Sequence, residues 1–238
     1  MATQLELGGM SVDVVTKDIK NLHLSVYPPT GRVRIAAPQH VKLEAIRMFA
    51  ISKLGWIKRQ QRHVVSQDRE PPREYLEQES HYVWGKRYLM RVAVADGVPS
   101  VRLSHRQFML SVRPEASEAR RGEILDAWYR SQIKMAMPAL LTRWQPLIGV
   151  KVERFFVQRM KTKWGSCTPS TRSIRLNTDL AKKPPGCLEY IVVHELAHLL
   201  EPTHNARFTG LMDCFLPNWR QLRDDLNHLP LRHVDWSY

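Results

Sequence analysis

From Val12 to Ile35 apolar residues alternate with polar ones, at Val12 and Val14, then Leu22, Leu24 and Val26, then Val33 and Ile35, around a Pro28-Pro29-Thr30-Gly31 turn. This two-residue period predicts strands and hairpins. After Pro38 the period changes, with Leu43, Ile46, Ala50, Leu54 and Ile57 at helical spacing and Lys42, Arg47, Lys53 and Lys58 mostly off that stripe, which predicts one amphipathic helix of about 20 residues. Residues 68–73, with Pro71-Pro72, read as a connector. Short strands are expected again around Tyr82–Trp84, Tyr88–Val94, Val101–Leu103 and Phe108–Val112, with turns at Gly85-Lys86 and Asp96-Gly97.

The second half changes character. Ile124, Leu125, Trp128, Ile133, Ala136, Leu140 and Trp144 trace an apolar helical face from Glu118 to Trp144, which Pro138 is expected to kink. Strand-like Val150–Val157 and Ser173–Asn177 follow, separated by the loop Lys161 to Cys167. Pro184-Pro185 then opens a nearly all-apolar helix containing His194-Glu195-Leu196-Ala197-His198, which ends near Pro202. The expected fold is α+β, a β-rich region with one amphipathic helix over 1–114 followed by a compact catalytic region over 115–238.

Residues four apart on a helix project from one face, so His194 and His198 can share a tetrahedral cation with Glu195 beside an open coordination position. His204 follows the break at Pro202 with the spacing of a third imidazole ligand; Glu201, Asp213, Asp224 and Asp225 are carboxylate alternatives, Asp213 the best of them. Zn2+ on three neutral imidazoles keeps a fourth position and lowers the pKa of bound water to about 7. Glu195 is then the expected general base for attack on a carbonyl. For the oxyanion, Tyr190, Arg175 and Arg207 are candidates. A zinc site without catalysis, in a binding protein, is the rival reading; a general base at Glu195 argues against it.

Composition adds limits. The 238 residues, 43% hydrophobic and 25% charged, suit a soluble globular protein, and Cys167, Cys187 and Cys214 have neither pairing number nor CxxC spacing. The amino terminus MATQLELGGMSV has no basic start followed by an apolar run, so a cytoplasmic location without membrane attachment is expected. The net charge of +13 is uneven. Residues 151–183 hold nine bases (Lys151, Arg154, Arg159, Lys161, Lys163, Arg172, Arg175, Lys182, Lys183) against two acids, whereas 184–238 hold four against seven. Such a block beside a catalytic helix could attract nucleic acid or an acidic substrate.

The stretch His194 to Leu199 with His204 and Phe208, preceded by Lys163-Trp164-Gly165-Ser166-Cys167 and Ser173-Ile174-Arg175-Leu176-Asn177, resembles the YgjP-like metallopeptidases over about residues 20–230. These are distant relatives of SprT and the Spartan-type DNA-dependent proteases. The resemblance implies a zincin-like catalytic region, a peptide or protein substrate, His194, His198 and His204 as zinc ligands and Glu195 as acid/base. A DNA-associated protease of Spartan type is the alternative it implies, with 151–183 as the DNA-facing segment. Thr203, Asn205 and Thr209 depart from the usual asparagine, serine and tryptophan. Gly165 is read as permitting a tight turn, Trp164 as core or cleft wall, Cys167 as buried, and Ser173–Asn177 as either a substrate-pairing edge strand or an internal one.

Overall fold

The computed structural model describes residues 2–66, 69–105 and 107–230. Residue 68 of the expected connector and residues 231–238 of the expected 115–238 region lie outside the described residues. Two compact units divide at Arg69/Glu70.

Among the described residues the first unit is a four-stranded sheet and two helices. Strands β1 (Ala2–Leu7), β2 (Met10–Lys17), β3 (His23–Tyr27) and β4 (Arg32–Pro38) stand in the order β1-β2-β4-β3, with β2 and β4 parallel. The alternation is used as expected: Val12, Val14, Val33 and Ile35 point inward and are buried with Ile46, Ala50 and Ile57 of the helices. β1, not expected from the pattern, pairs with β2 across Gly8-Gly9, both at positive φ, and contributes buried Leu5 and Leu7. The helical stretch is two elements, α1 (Leu43–Ser52) and α2 (Leu54–Ser66), parted at Lys53. Gly55 directly after the break disfavours a continuous helix there.

Among the described residues the second unit holds two sheets and four α-helices. β5 (Ser80–Val83), β6 (Lys86–Val94), β7 (Ser100–Leu103) and β8 (Phe108–Val112) form one sheet in the order β5-β6-β8-β7. The expected division grouped these strands with the front of the chain; contacts group them with the back. Val83, Met90, Phe108, Leu110 and Val112 share one buried core with Leu125, Tyr129 and Ile133 of α3 (Glu118–Ile148). The Tyr129 hydroxyl donates to the Tyr82 carbonyl at 2.9 Å. α3 runs 31 residues, capped by the Ser117 hydroxyl and ended by Gly149 in the left-handed region, with Pro138 and Pro146 inside it.

The remaining elements build the candidate site. β9 (Arg154–Gln158), β10 (Gly165–Thr168) and β11 (Ser173–Asn177) form a sheet in the order β10-β11-β9. Then come α4 (Pro185–Ala197), α5 (Ala206–Phe215) and α6 (Trp219–His228). Ser173–Asn177 is therefore the internal strand, and β10, part of the stretch expected as a loop, is an edge. The β5–β6 turn is fastened to the entry of α4: Trp84 N–H donates to the Ala181 carbonyl at 2.8 Å, and Gly85, at φ +79°, lies so close to Pro184 that a Cβ would stand 2.9 Å from its ring. Among the described residues no helix is long and apolar enough to cross a membrane.

Candidate metal centre

α4 is buried almost all round. Leu188, Val192, Val193, Leu196 and Ala197 have at most 2% exposure, and the two imidazoles at its C-terminal end face one place. That place is the meeting of His194, one turn from the helix end, and His198 at its C-cap. The chain turns through Pro202, and a small polar web shapes the return. The Thr203 hydroxyl donates to Glu201 Oε1 at 2.8 Å, the Asn205 amide donates to Thr203 Oγ1 at 3.1 Å, and Asn205 Oδ1 caps α5 by accepting from Phe208 N–H. His204 is thereby carried back onto the other two.

The three Nε2 atoms converge, at 3.2 Å (His194–His198), 3.1 Å (His198–His204) and 3.0 Å (His194–His204). His198 Nδ1 lies 3.0 Å from the Glu201 carbonyl, a bond that keeps its N–H there and leaves Nε2 a bare lone pair. Burial, then the neighbouring imidazoles, push His194 down to about 3, so it is neutral. Three lone-pair donors pressed together suit one cation, since a tetrahedral ion about 2.0–2.1 Å from each nitrogen holds them about 3.3 Å apart. Phe208 lies against all three rings, with centroids 4.9, 4.5 and 4.9 Å from those of His194, His198 and His204.

Glu195 is 4% exposed on the sheet side of α4. Burial pushes its carboxyl up to about 8, against the pull of Lys163. It rests on the backbone of β10, where a Cβ at Gly165 would stand 2.5 Å from Glu195 Oε1. The expected turn at Gly165 is thus corrected: the glycine lies within a strand, and its missing side chain makes room for the carboxylate. Cys167, on the same inward side of β10, is half-buried and its thiol is pushed up to about 11 by burial and by Glu195. Trp164 is half-buried against the core, with the Lys183 ammonium 5.7 Å from its ring centre.

Asn177 fastens the loop before β10. Its buried amide donates to the Met160 and Lys163 carbonyls, both at 2.9 Å, and its backbone N–H donates to the Trp164 carbonyl. The carboxylate alternatives are engaged elsewhere. Asp213 accepts from Trp219 Nε1 at 2.7 Å and pairs with Arg220; Asp224 pairs with Arg223; Asp225 accepts from Gln221; Glu201 serves the Thr203 turn. Among the described residues the three histidines alone form a group able to hold a metal. Of the oxyanion candidates, Tyr190 is buried with its ring against His194 and stacked on Trp219. Arg175 points to the opposite side of the sheet from Gly165, and Arg207 is exposed, 3.9 Å from Glu201.

Gly165, Phe208 and Asn177 are the participants that sequence reasoning gave no such role. A family model described as the YgjP-like metallopeptidase domain matches residues 20–229. The chain belongs to the YgjP-like metallopeptidases. That membership makes it a metal-dependent peptidase family member and implies a metal ion, for which this YgjP-like chain offers its histidine triad. Two solved structures are similar over part of it. The metallopeptidase zymogen of Pyrococcus abyssi abylysin is 20% identical, with 41% of this chain and 98% of the other covered and a TM-score of 0.37. The metallopeptidase zymogen of Methanocaldococcus jannaschii jannalysin is 18% identical, with 37% and 91% covered and a TM-score of 0.34. No match is found among curated proteins.

Proposed function

We propose that this chain is a zinc-dependent peptidase in which His194, His198 and His204 hold the metal and Glu195 is the general base. The observation that carries the reading is the convergence of three imidazole Nε2 atoms at the end of the helix that also carries the buried carboxylate of Glu195. Zinc, when bound, supplies Lewis acidity, lowering the pKa of a bound water towards about 7, polarising a carbonyl and favouring the ionised form of a nearby carboxylate. The remaining work belongs to the chain. Glu195 takes the proton of the attacking water and delivers it to the leaving amine. Its placement between α4 and Gly165 restricts the carboxylate to a few orientations, which limits the reorganisation needed at each transfer. The edge strand β10 offers backbone groups to an extended peptide, and Gly165 brings that peptide alongside Glu195. Burial keeps the Tyr190 hydroxyl protonated, its pKa pushed up to about 12.

A non-catalytic zinc protein would call for a closed coordination shell. No fourth histidine, cysteine or carboxylate joins the triad among the described residues, which favours an open position. The test is removal and return of the metal. Treatment of the full chain with a chelator is expected to abolish cleavage of an unfolded protein substrate, and stoichiometric Zn2+ to restore it. Cleavage that persists in the metal-free protein would refute the proposal.

A further inference from the structure

The side of the β9–β11 sheet turned away from α4 takes no part in that chemistry. Alternation sorts its residues: Phe155, Val157, Ile174 and Leu176 face the core, while Arg154, Phe156 and Gln158 of β9 share the outward side with Arg175 of β11 and with Ser166 and Thr168 of β10. Arg175 is in register with Phe156 on one side and Ser166 on the other. Phe156 is 42% exposed, an unusual place for a phenyl ring on a strand whose neighbours Phe155 and Val157 turn inward. The Arg175 guanidinium lies 5.4 Å from the Phe156 ring centre and donates to Thr168 Oγ1 at 3.2 Å, so a planar cation is held at an exposed aromatic ring.

Further cations surround this pair. Arg154 is two residues from Phe156 on the same side of β9. Arg159 is exposed just past the end of β9. Opposing charge is scarce. Of the two carboxylates in 151–183, Glu153 lies 3.5 Å from Lys151, and Asp179 is buried 3.3 Å from Lys182. The basic block is also narrower than its sequence suggests, because Lys182 and Lys183 are buried, pairing with Glu70 and bonding the Pro230 carbonyl respectively.

An exposed ring with a flat guanidinium beside it offers a stacking surface, and the flanking arginines offer phosphate contacts. An acidic peptide would satisfy the charges but leave the ring without a partner, and a duplex keeps its bases stacked out of reach. We propose that this outward sheet face binds single-stranded nucleic acid, with a base stacked at Phe156 and Arg175 and the backbone running over Arg154. The proposal is independent of the peptidase reading, since Phe156, Arg175 and Arg154 lie on the side of the sheet opposite Gly165, against which Glu195 rests.

The test is binding of the zinc-loaded full chain to an oligothymidylate of about 20 nucleotides, longer than the ~4–16 that such platforms occupy, followed by fluorescence anisotropy at several salt concentrations. Binding is expected at low salt and to weaken as salt rises, with a log–log slope of about −0.7 per phosphate contact. Phe156→Ala is expected to weaken it about tenfold at every salt concentration. Arg154→Gln is expected to weaken it and to make the salt slope shallower by about one contact. Arg175→Lys, which keeps the charge and loses the plane, should bind less tightly than the parent with the slope retained. Zinc content and unfolding temperature should be unchanged in all three, which separates loss of the face from loss of the fold. Absence of binding at low salt would overturn the proposal, as would full affinity in Phe156→Ala, or tighter binding of a duplex or of polyglutamate than of the oligothymidylate.

Discussion

Gly165 and Glu195 are in contact through an absence: the strand passes so near the carboxylate that a methyl group on Gly165 would stand 2.5 Å from Oε1 and 2.9 Å from Ile191 Cγ2. Strand backbone and helix are both fixed by packing, so the carboxylate would have to move. Gly165→Ala is expected to cost about 1–3 kcal/mol in stability through overpacking, and to lower kcat/KM by about 100-fold because a displacement of about 1 Å misaligns the base. Zinc content should stay at the parent value. Peptidase kinetics with metal analysis on the same sample check this; an alanine variant with parental kcat/KM would remove Gly165 from the account.

Phe208 touches all three imidazoles, so it fixes their orientation without offering a ligand atom. Phe208→Leu retains an apolar side chain but loses the flat surface. Its zinc affinity is expected to fall about 10–100-fold, the usual range for loss of a group that orients ligands. Competition with a chromophoric chelator measures this directly.

His81 provides a pH signature away from the metal. It is buried, and burial first, then the charge of Arg73, pushes its imidazole down to about 4 from 6.5, while Glu79, 3.1 Å away, pulls the other way. The unfolded chain therefore takes up this proton before the folded one does. The contribution is fully present above pH about 6.5, is lost as the pH falls towards about 4, and reaches about 3 kcal/mol. Denaturant unfolding at several pH values should show this slope, and a flatter one in His81→Gln.

Much of this was legible because local pattern and tertiary role agree. The alternation at Val12, Val14, Val33 and Ile35 became the buried face of the first sheet, and the apolar run around His194 became an enclosed helix. The family assignment, resting on the His194–His198 stretch and the Trp164-Gly165-Ser166-Cys167 element, was borne out over residues 20–229. What stayed hidden depends on distance in space. Nothing local distinguishes a glycine that turns the chain from one that yields to a carboxylate 30 residues later. Nor does the sequence say that Lys182 is paired inside the fold while Arg154 is exposed, although both count equally in the charge of the block. The β5–β8 strands read as part of the front because they follow it in sequence, but their apolar residues fit against α3.

The central claim is that Glu195 moves the proton at a metal held by the three histidines. Glu195→Gln keeps the shape of the side chain and removes its basicity, so it is the most direct measurement. The account predicts that the variant binds one zinc per chain, unfolds at the parental temperature and loses about 100- to 10,000-fold in kcat against a peptide substrate, the range for a general base. Parental kcat in a zinc-loaded Glu195→Gln protein would contradict it.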